Sequence, residues 1–208
     1  MAKVNLIECA NDLPADVNFP NGMVAMDTET LGLNLLRDRL CVCQLSDGEG
    51  NVWIVKFDGK DYSAPNLKKL LADPSVTKIF HFARFDVAAL YHYLGTMPQP
   101  VYCTKIASKL TRTYTEKHGL KSITAELLGE LMDKTEQSSD WAAPQLSEAQ
   151  KHYAAGDVIY LHALKKELDI KLEDRQRQHL AKACFDFLPT RAELDLAGWP
   201  ETDIFSHA

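Results

Sequence analysis

The 208-residue sequence predicts one α/β domain: a central mixed β-sheet flanked by helices, with a helical C-terminal tail. Three observations predict it. Strand-sized apolar runs crowd the first third of the chain in meander order. Helical periodicity dominates from residue 85 onward. Composition is that of a globular chain, 46% hydrophobic and 25% charged, long enough for one sizeable core and too short for two.

Taken in order, the first element is a short apolar strand over residues 4–8. Asn11-Asp12-Leu13-Pro14 and Pro20-Asn21-Gly22 are turn signals. The run 23–29 is apolar and ends in two acids. Runs 40–45 and 51–57 are β-branched and apolar, and Ser46-Asp47-Gly48-Glu49-Gly50 reads as the polar loop of a hairpin between them. Three strands in that order make an antiparallel or mixed sheet. The period then changes. Leu67, Leu70 and Leu71 put a helix over 64–72, ended by Asp73-Pro74. A strand over 77–82 precedes a helix over 85–94, with a stripe of Val87, Leu90, Tyr91 and Leu94 and a stop at Gly95. Helices are expected over 104–110, 120–128 and 147–168, the last opened by a capping box of Ser147 and Gln150. A final helix over 173–188 is expected to stop at Pro189, leaving 190–208 weakly patterned. The resulting division is residues 1–171 as the working domain and 172–208 as a helical extension packed on it.

Charge and composition exclude several classes. Lys and Arg number 23 against 29 Asp and Glu, a formal net charge of −6. That excludes a bulk-basic nucleic-acid binder but not a local basic surface. Segment 103–121 gathers Lys105, Lys109, Arg112, Lys117 and Lys121 against the single acid Glu116. No apolar run approaches the roughly 18 residues of a membrane span. The N-terminus lacks a long apolar stretch and carries an early acid, Glu8, so no secretory leader and a cytoplasmic setting are expected. Cys9, Cys41, Cys43, Cys103 and Cys184 read as free thiols in buried apolar packing. Cys41 and Cys43 are expected on one strand face. A zinc or thiol enzyme built on them wants further ligands at Cys-x-x-Cys or His-x-x-x-His spacing, and the sequence has none.

The chemistry gathers on acids instead. Asp27 and Glu29 alternate along a strand end, so both carboxylates share a face, and each raises the cost of ionising the other. A divalent cation removes that cost. Asp86 opens a helix, and Tyr153 and Asp157 lie one helical turn apart with the small residues Ala154, Ala155 and Gly156 between them. Taken singly, each has a bland reading: solvated strand-end acids, a helix cap, a half-buried aromatic beside a surface acid. Taken together, four hard oxygen donors arise from three elements, a set that suits magnesium or manganese rather than zinc or copper. Several carboxylates on such ions commonly mean phosphoryl chemistry.

Asp27-Thr28-Glu29-Thr30, His81-Phe82-Ala83-Arg84-Phe85-Asp86 and Tyr153-Ala154-Ala155-Gly156-Asp157 resemble, in order, the three exonuclease motifs of the DEDD superfamily. The Tyr-x-x-x-Asp motif places the resemblance in the tyrosine-bearing branch. Ser139-Asp140-Trp141, Leu146-Ser147 with Gln150, Thr104-Lys105-Ile106-Ala107-Ser108 and His118-Gly119-Leu120 are similar to the connecting pieces of ribonuclease D. The resemblance covers about residues 20–168. It implies an RNase H-like fold and a metal-dependent 3′→5′ exoribonuclease that releases nucleoside 5′-monophosphates from RNA 3′ ends. It also implies two divalent cations, Mg²⁺ or Mn²⁺. By motif position Asp27 bridges both ions, Glu29 and Asp157 complete the site of the attacking water, and Asp86 supports the second ion. Tyr153, a weak base with an unperturbed pKa of about 10, orients that water. The alternatives are a 3′→5′ exodeoxyribonuclease on single-stranded or recessed DNA ends and a non-catalytic nucleic-acid-binding module.

The resemblance extends to substrate contacts. Thr30-Leu31-Gly32-Leu33 is similar to the segment that wedges against the terminal base; Leu31 is that wedge or a core leucine. Thr30, His81, Arg84, Lys105, His118 and Lys121 complete the candidate contacts, with solvated charge competing for the lysines and an ion pair for Arg84. Trp141, Tyr91, Tyr102 and Tyr114 are stacking candidates or buried rings, and Trp53 and Trp199 are expected in the core. Ribonuclease D relatives append helical binding domains, and the roughly 40 residues after the third motif's helix are too few for one. A short or single-stranded RNA end, or a partner that supplies grip, is the expectation that follows.

Overall fold

The computed structural model describes residues 4–132 and 139–207. Its sheet contains β1 (Asn5–Ala10), β2 (Met23–Thr30), β3 (Leu40–Ser46), β4 (Asn51–Lys56), β5 (Thr77–Phe80) and β6 (Val101–Cys103), in the order β1-β4-β3-β2-β5-β6. β2, β3 and β4 form the expected antiparallel meander. β1 joins β4 in parallel, and β5 and β6 extend the other side of β2 in parallel. Parallel neighbours need crossovers. α1 (Pro65–Ala72) lies between β4 and β5, and α2 (Ala83–Leu94) between β5 and β6. α3 (Thr104–Thr111), α4 (Leu120–Leu128), α5 (Glu148–Ile159), α6 (Leu161–Asp174) and α7 (Gln178–Leu196) follow. The mixed sheet flanked by helices is the architecture the sequence predicts.

Alternation along β2 sorts two cores onto two faces. Val24 and Met26 face a cluster that includes Leu67, Leu71, Val87, Leu90 and Leu188, from α1, α2 and α7. Ala25 faces a cluster that includes Ala107, Ile123, Ala154, Val158, Leu161 and Leu168, from α3 to α6. Continuing that alternation, Asp27 and Glu29 point to the α5 side and Thr28 to the α2 side.

Several elements depart from the sequence expectation. β6 was not expected, because three residues are too few to carry a period. The helix expected over 147–168 is two helices that change direction at Tyr160, the C-cap of α5 and N-cap of α6. α5 lies on the sheet and α6 packs mainly on α3 and α4, so one straight helix cannot serve both. α6 runs through position 171, where the sequence reading divides the chain. α7 begins later than expected and continues through Pro189. The proline forfeits one internal hydrogen bond, but Leu188 and Ala192 on either side are buried against α2 and the sheet, which holds the helix in register. Cys41 and Cys43 do not share a face. Glu29 pairs with Val42 but Thr30 pairs with Leu40, so Cys41 is the extra residue of a bulge. Cys43 therefore enters the α2-side core and Cys41 the α5-side core. Cys184 is exposed on α7 and Cys9 half-buried, rather than packed away with Cys103. Trp53 is in the core as expected, whereas Trp199, beyond the end of α7, is exposed. Among the described residues no helix is long and apolar enough to cross a membrane.

Candidate active site

The end of β2 brings its two acids to the mouth of a cleft of about 550 Å³. α5 crosses the same sheet face with Ala154 and Ala155 buried against it. These two alanines let the helix approach closely; Gly156 does not contribute, since a Cβ there meets only open space. The approach aims Tyr153 and Asp157 at the strand end. Ligand oxygens of Asp27, Glu29 and Asp157 all lie within 4.8 Å of one another. Three carboxylates this close repel strongly, and a hard divalent cation is the partner that offsets the repulsion.

Asp86 reaches the cleft from the opposite sheet face, through the first turn of α2. Thr28 donates to its Oδ1 twice, from the backbone N–H at 3.0 Å and from Oγ1 at 2.7 Å. One strand therefore orients all four acids: residues 27 and 29 directly, Asp157 by facing it, and Asp86 through Thr28. Asp86 is only 3% exposed. Burial pushes its carboxyl up to about 7; the bonds from Thr28 oppose that rise and the Asp157 charge adds to it. On the sheet side Gln44, paired with Asp27 across β3, donates from Nε2 to Asp27 Oδ2 at 2.7 Å. Neither Thr28 nor Gln44 was singled out from sequence. In sequence Gln44 is a lone amide in the apolar run Leu40–Ser46, which by itself does not point to an acid on the neighbouring strand.

Tyr153 is half-buried, and its phenol is raised above the ordinary range, first by burial and then by the charges of Asp157 and Glu29. It stays protonated near neutrality, which makes it a hydrogen-bonding group and a poor base. Trp141 packs on its ring with centroids 5.8 Å apart. The Trp141 loop is fixed by Gln150, whose Nε2 donates to Ser139 Oγ at 3.1 Å and to the Asp140 carbonyl at 3.0 Å. The same glutamine completes the expected capping box, accepting from Ser147 N at 2.9 Å while its own N–H donates to Ser147 Oγ.

Thr30, Leu31 and His81 line the cleft with the acids. Leu31 is 52% exposed, which removes the core-leucine reading. His81 Nδ1 lies 2.9 Å from Thr104 Oγ1, which is itself 3.2 Å from the Phe80 carbonyl, so this contact ties the imidazole to the start of α3.

The other candidate contacts are not among the residues lining the cleft. Arg84 is bound bidentately to Asp195 of α7, at 2.6 and 2.8 Å. Lys105 stands over the Phe82 ring, 4.2 Å from its centroid. His118 is buried, its Nδ1 3.0 Å from Ser108 Oγ. Lys121 is exposed on the first turn of α4. Arg112, expected within a basic surface, is fully buried; it holds Glu126, Ser108 Oγ and the Lys117 carbonyl and anchors the loop between α3 and α4.

A strand end and two helix segments converging hard oxygen donors beside a protonated tyrosine define the class of divalent-metal phosphodiester nucleases. The chain belongs to the 3′-5′ exonuclease family, whose model matches residues 5–173. Ribonuclease D of Escherichia coli is 33% identical over 172 residues, covering 83% of this chain and 43% of that protein. DNA polymerase I of Aquifex aeolicus is 37% identical over 166 residues, covering 80% of this chain and 26% of that protein. The chain thus spans less than half the length of these curated relatives. Among solved structures, Brucella melitensis NrnC bound to pGG matches with a TM-score of 0.96 and 58% identity, covering 99% of this chain and 100% of that one. Escherichia coli RNase D matches with a TM-score of 0.74 and 29% identity, covering 86% of this chain and 48% of that one.

Proposed function

We propose that this chain is a metal-dependent 3′→5′ exoribonuclease that removes nucleoside 5′-monophosphates from the 3′ ends of short RNA. The observation that carries the reading is the meeting of Asp27, Glu29 and Asp157 within 4.8 Å. An all-carboxylate donor set fits Mg²⁺ or Mn²⁺, and a Brucella melitensis NrnC structure has bound Mg²⁺. In this reading Asp27, Glu29 and Asp157 would hold one cation, and Asp27 with Asp86 would hold the other. The ions supply a lowered pKa for the attacking water and neutralise charge at phosphorus. The chain's own residues do the rest. Tyr153 orients the attacking water through its phenol oxygen. Gln44 and Thr28 hold Asp27 and Asp86 in place. Thr30, Leu31 and His81 seat the terminal nucleotide. Attack of water at phosphorus breaks the bond to the 3′-oxygen of the preceding nucleotide; that oxygen takes up a proton from solvent to become a 3′-hydroxyl, and the terminal nucleotide leaves as its 5′-monophosphate.

Ribonuclease D relatives and the pGG-bound neighbour favour RNA, and the brevity of pGG favours short strands. The DNA polymerase I relative favours a second reading, a 3′→5′ exodeoxyribonuclease. A cytoplasmic setting suits the free thiols. The experiment is digestion of 5′-labelled RNA and DNA of one sequence and graded length, with Mg²⁺, Mn²⁺ or EDTA, by wild type and Asp27→Ala. Metal-dependent 3′ shortening of RNA, lost in the variant, is expected. Shortening of DNA alone selects the second reading. No shortening of either rejects both and leaves a non-catalytic binding module.

A further inference from the structure

The connection from β2 to β3, residues 31–39, carries Leu31 to the cleft together with Gly32 and Leu33. Its leucines do not behave alike. Leu35 packs against the α2-side core, whereas Leu31, Leu33 and Leu36 are exposed. Burial therefore holds one point of the connection and does not fix Leu31, whose apolar side chain stands largely in water. Polar contacts have to do that.

Asp38 supplies them. It is an acid at the end of the connection and only 7% exposed. Its Oδ2 accepts from the backbone N–H of Asn34 at 3.0 Å, and its own N–H donates to the Asn34 carbonyl at 2.7 Å. Arg37 holds both oxygens, from Nε to Oδ1 at 2.6 Å and from Nη2 to Oδ2 at 2.8 Å. Arg37 first, and then the Asn34 N–H, hold the carboxyl down at about 2, so it stays charged across the neutral range. An ion pair with an exposed arginine contributes little by itself; what counts is where the carboxylate sits. A Cβ on residue 32 would stand 2.4 Å from Oδ2, so Gly32 lies directly on the carboxylate. Leu31, one residue before, is tied by its own N–H to the Arg39 carbonyl, one residue after Asp38, at 3.0 Å.

We infer that Asp38 is a positioning residue for the reaction: through Gly32 and Asn34 its carboxylate sets the shape of the connection and so presents Leu31 to the terminal nucleotide. The inference rests on the exonuclease reading above, in which Leu31 helps to seat that nucleotide. A contact held in place before substrate arrives costs no ordering when substrate binds. Asp38 therefore acts on affinity and not on the chemical step.

The test is hydrolysis of an RNA dinucleotide by wild type, Leu31→Ala, Asp38→Ala, Asp38→Asn and the double variant Leu31→Ala/Asp38→Ala, with thermal melting as the check on folding. Asp38→Ala should raise KM about tenfold and leave kcat and half-saturating Mg²⁺ in place, the pattern of lost uniform binding. Asp38→Asn keeps an acceptor for the Asn34 N–H and should recover most of that loss. The double variant should be no worse than Leu31→Ala, because Asp38 acts through Leu31. Gly32→Ala drives the carboxylate aside without removing it. Alone and combined with Leu31→Ala, it should repeat the Asp38→Ala results, and it carries the test if Asp38→Ala does not fold. Losses that multiply in the double variant overturn the positioning role. So does an unchanged KM, or a kcat and Mg²⁺ affinity that fall along with KM. Wild type that cleaves no dinucleotide with Mg²⁺ or Mn²⁺ rejects the exonuclease reading itself, and the inference falls with it.

Discussion

Tyr153 is held as a phenol by burial and by two neighbouring carboxylates, and this fixes what its loss should do. Tyr153→Phe removes the phenol proposed to orient the attacking water while keeping the ring that Trp141 packs on. Turnover should fall about 10- to 100-fold, the scale of a misplaced reactant, with half-saturating Mg²⁺ unchanged. A loss of metal affinity matching that of Asp27→Ala would refute the orienting role. Asp86 gives a test in the absence of metal. Its folded carboxyl is raised to about 7, above the unfolded value of about 3.9. The native state then binds the proton more tightly than the unfolded chain, so this contribution to stability is full at low pH and fades between about pH 4 and pH 7. In EDTA the melting temperature of wild type should decline across that window, and the decline should flatten in Asp86→Asn, which can still accept from Thr28. An unchanged slope in the variant would place the titration elsewhere.

At the scale of elements, the N-terminus of α5 is tied to the loop that carries Trp141. Ser147 caps the helix only, whereas Gln150 caps it and also bonds Ser139 and Asp140. Ser147→Ala should cost about 1 kcal/mol and leave kcat in place. Gln150→Ala should cost about 1–3 kcal/mol and lower kcat as well, because the support behind Tyr153 loosens. Equal kcat in the two variants would separate the loop from catalysis. Much at this scale was readable in advance. The meander, the capping box and the acids occupy short stretches whose period or spacing is local. What was not readable depends on partners far along the chain. Arg84 is bound to a residue 111 positions away, which no motif announces. Pro189 sits inside α7 because the buried residues around it hold the helix, and a propensity rule does not see them. The Cys41 bulge appears only once β3 has found its register against β2.

For the whole molecule, the site is where the two cores meet. Asp27 and Glu29 belong to the α5 side, Thr28 and Asp86 to the α2 side, and cations bound among them join the two. Mg²⁺ should therefore raise the melting temperature at neutral pH in proportion to the logarithm of its concentration once binding saturates. Asp27→Ala should abolish that rise, and a rise that persists would mean the ions bind elsewhere. The acids were legible as a set because carboxylates of one class recur at domain-sized intervals; the fully buried Gln44 was not, since it has meaning only against a neighbour in space. The alternation of β2 also bears on how such a chain tolerates changes in length. One residue inserted between Met23 and Met26 hands Asp27 to the α2 layer and Thr28 to the α5 layer, so the acids disperse even if every strand still forms. Extra residues at the exposed positions 14–16 or 60–61, outside the sheet and the core, displace neither layer. Variation in length that keeps the enzyme working is thus confined to loops, and the central strand admits substitution but not insertion.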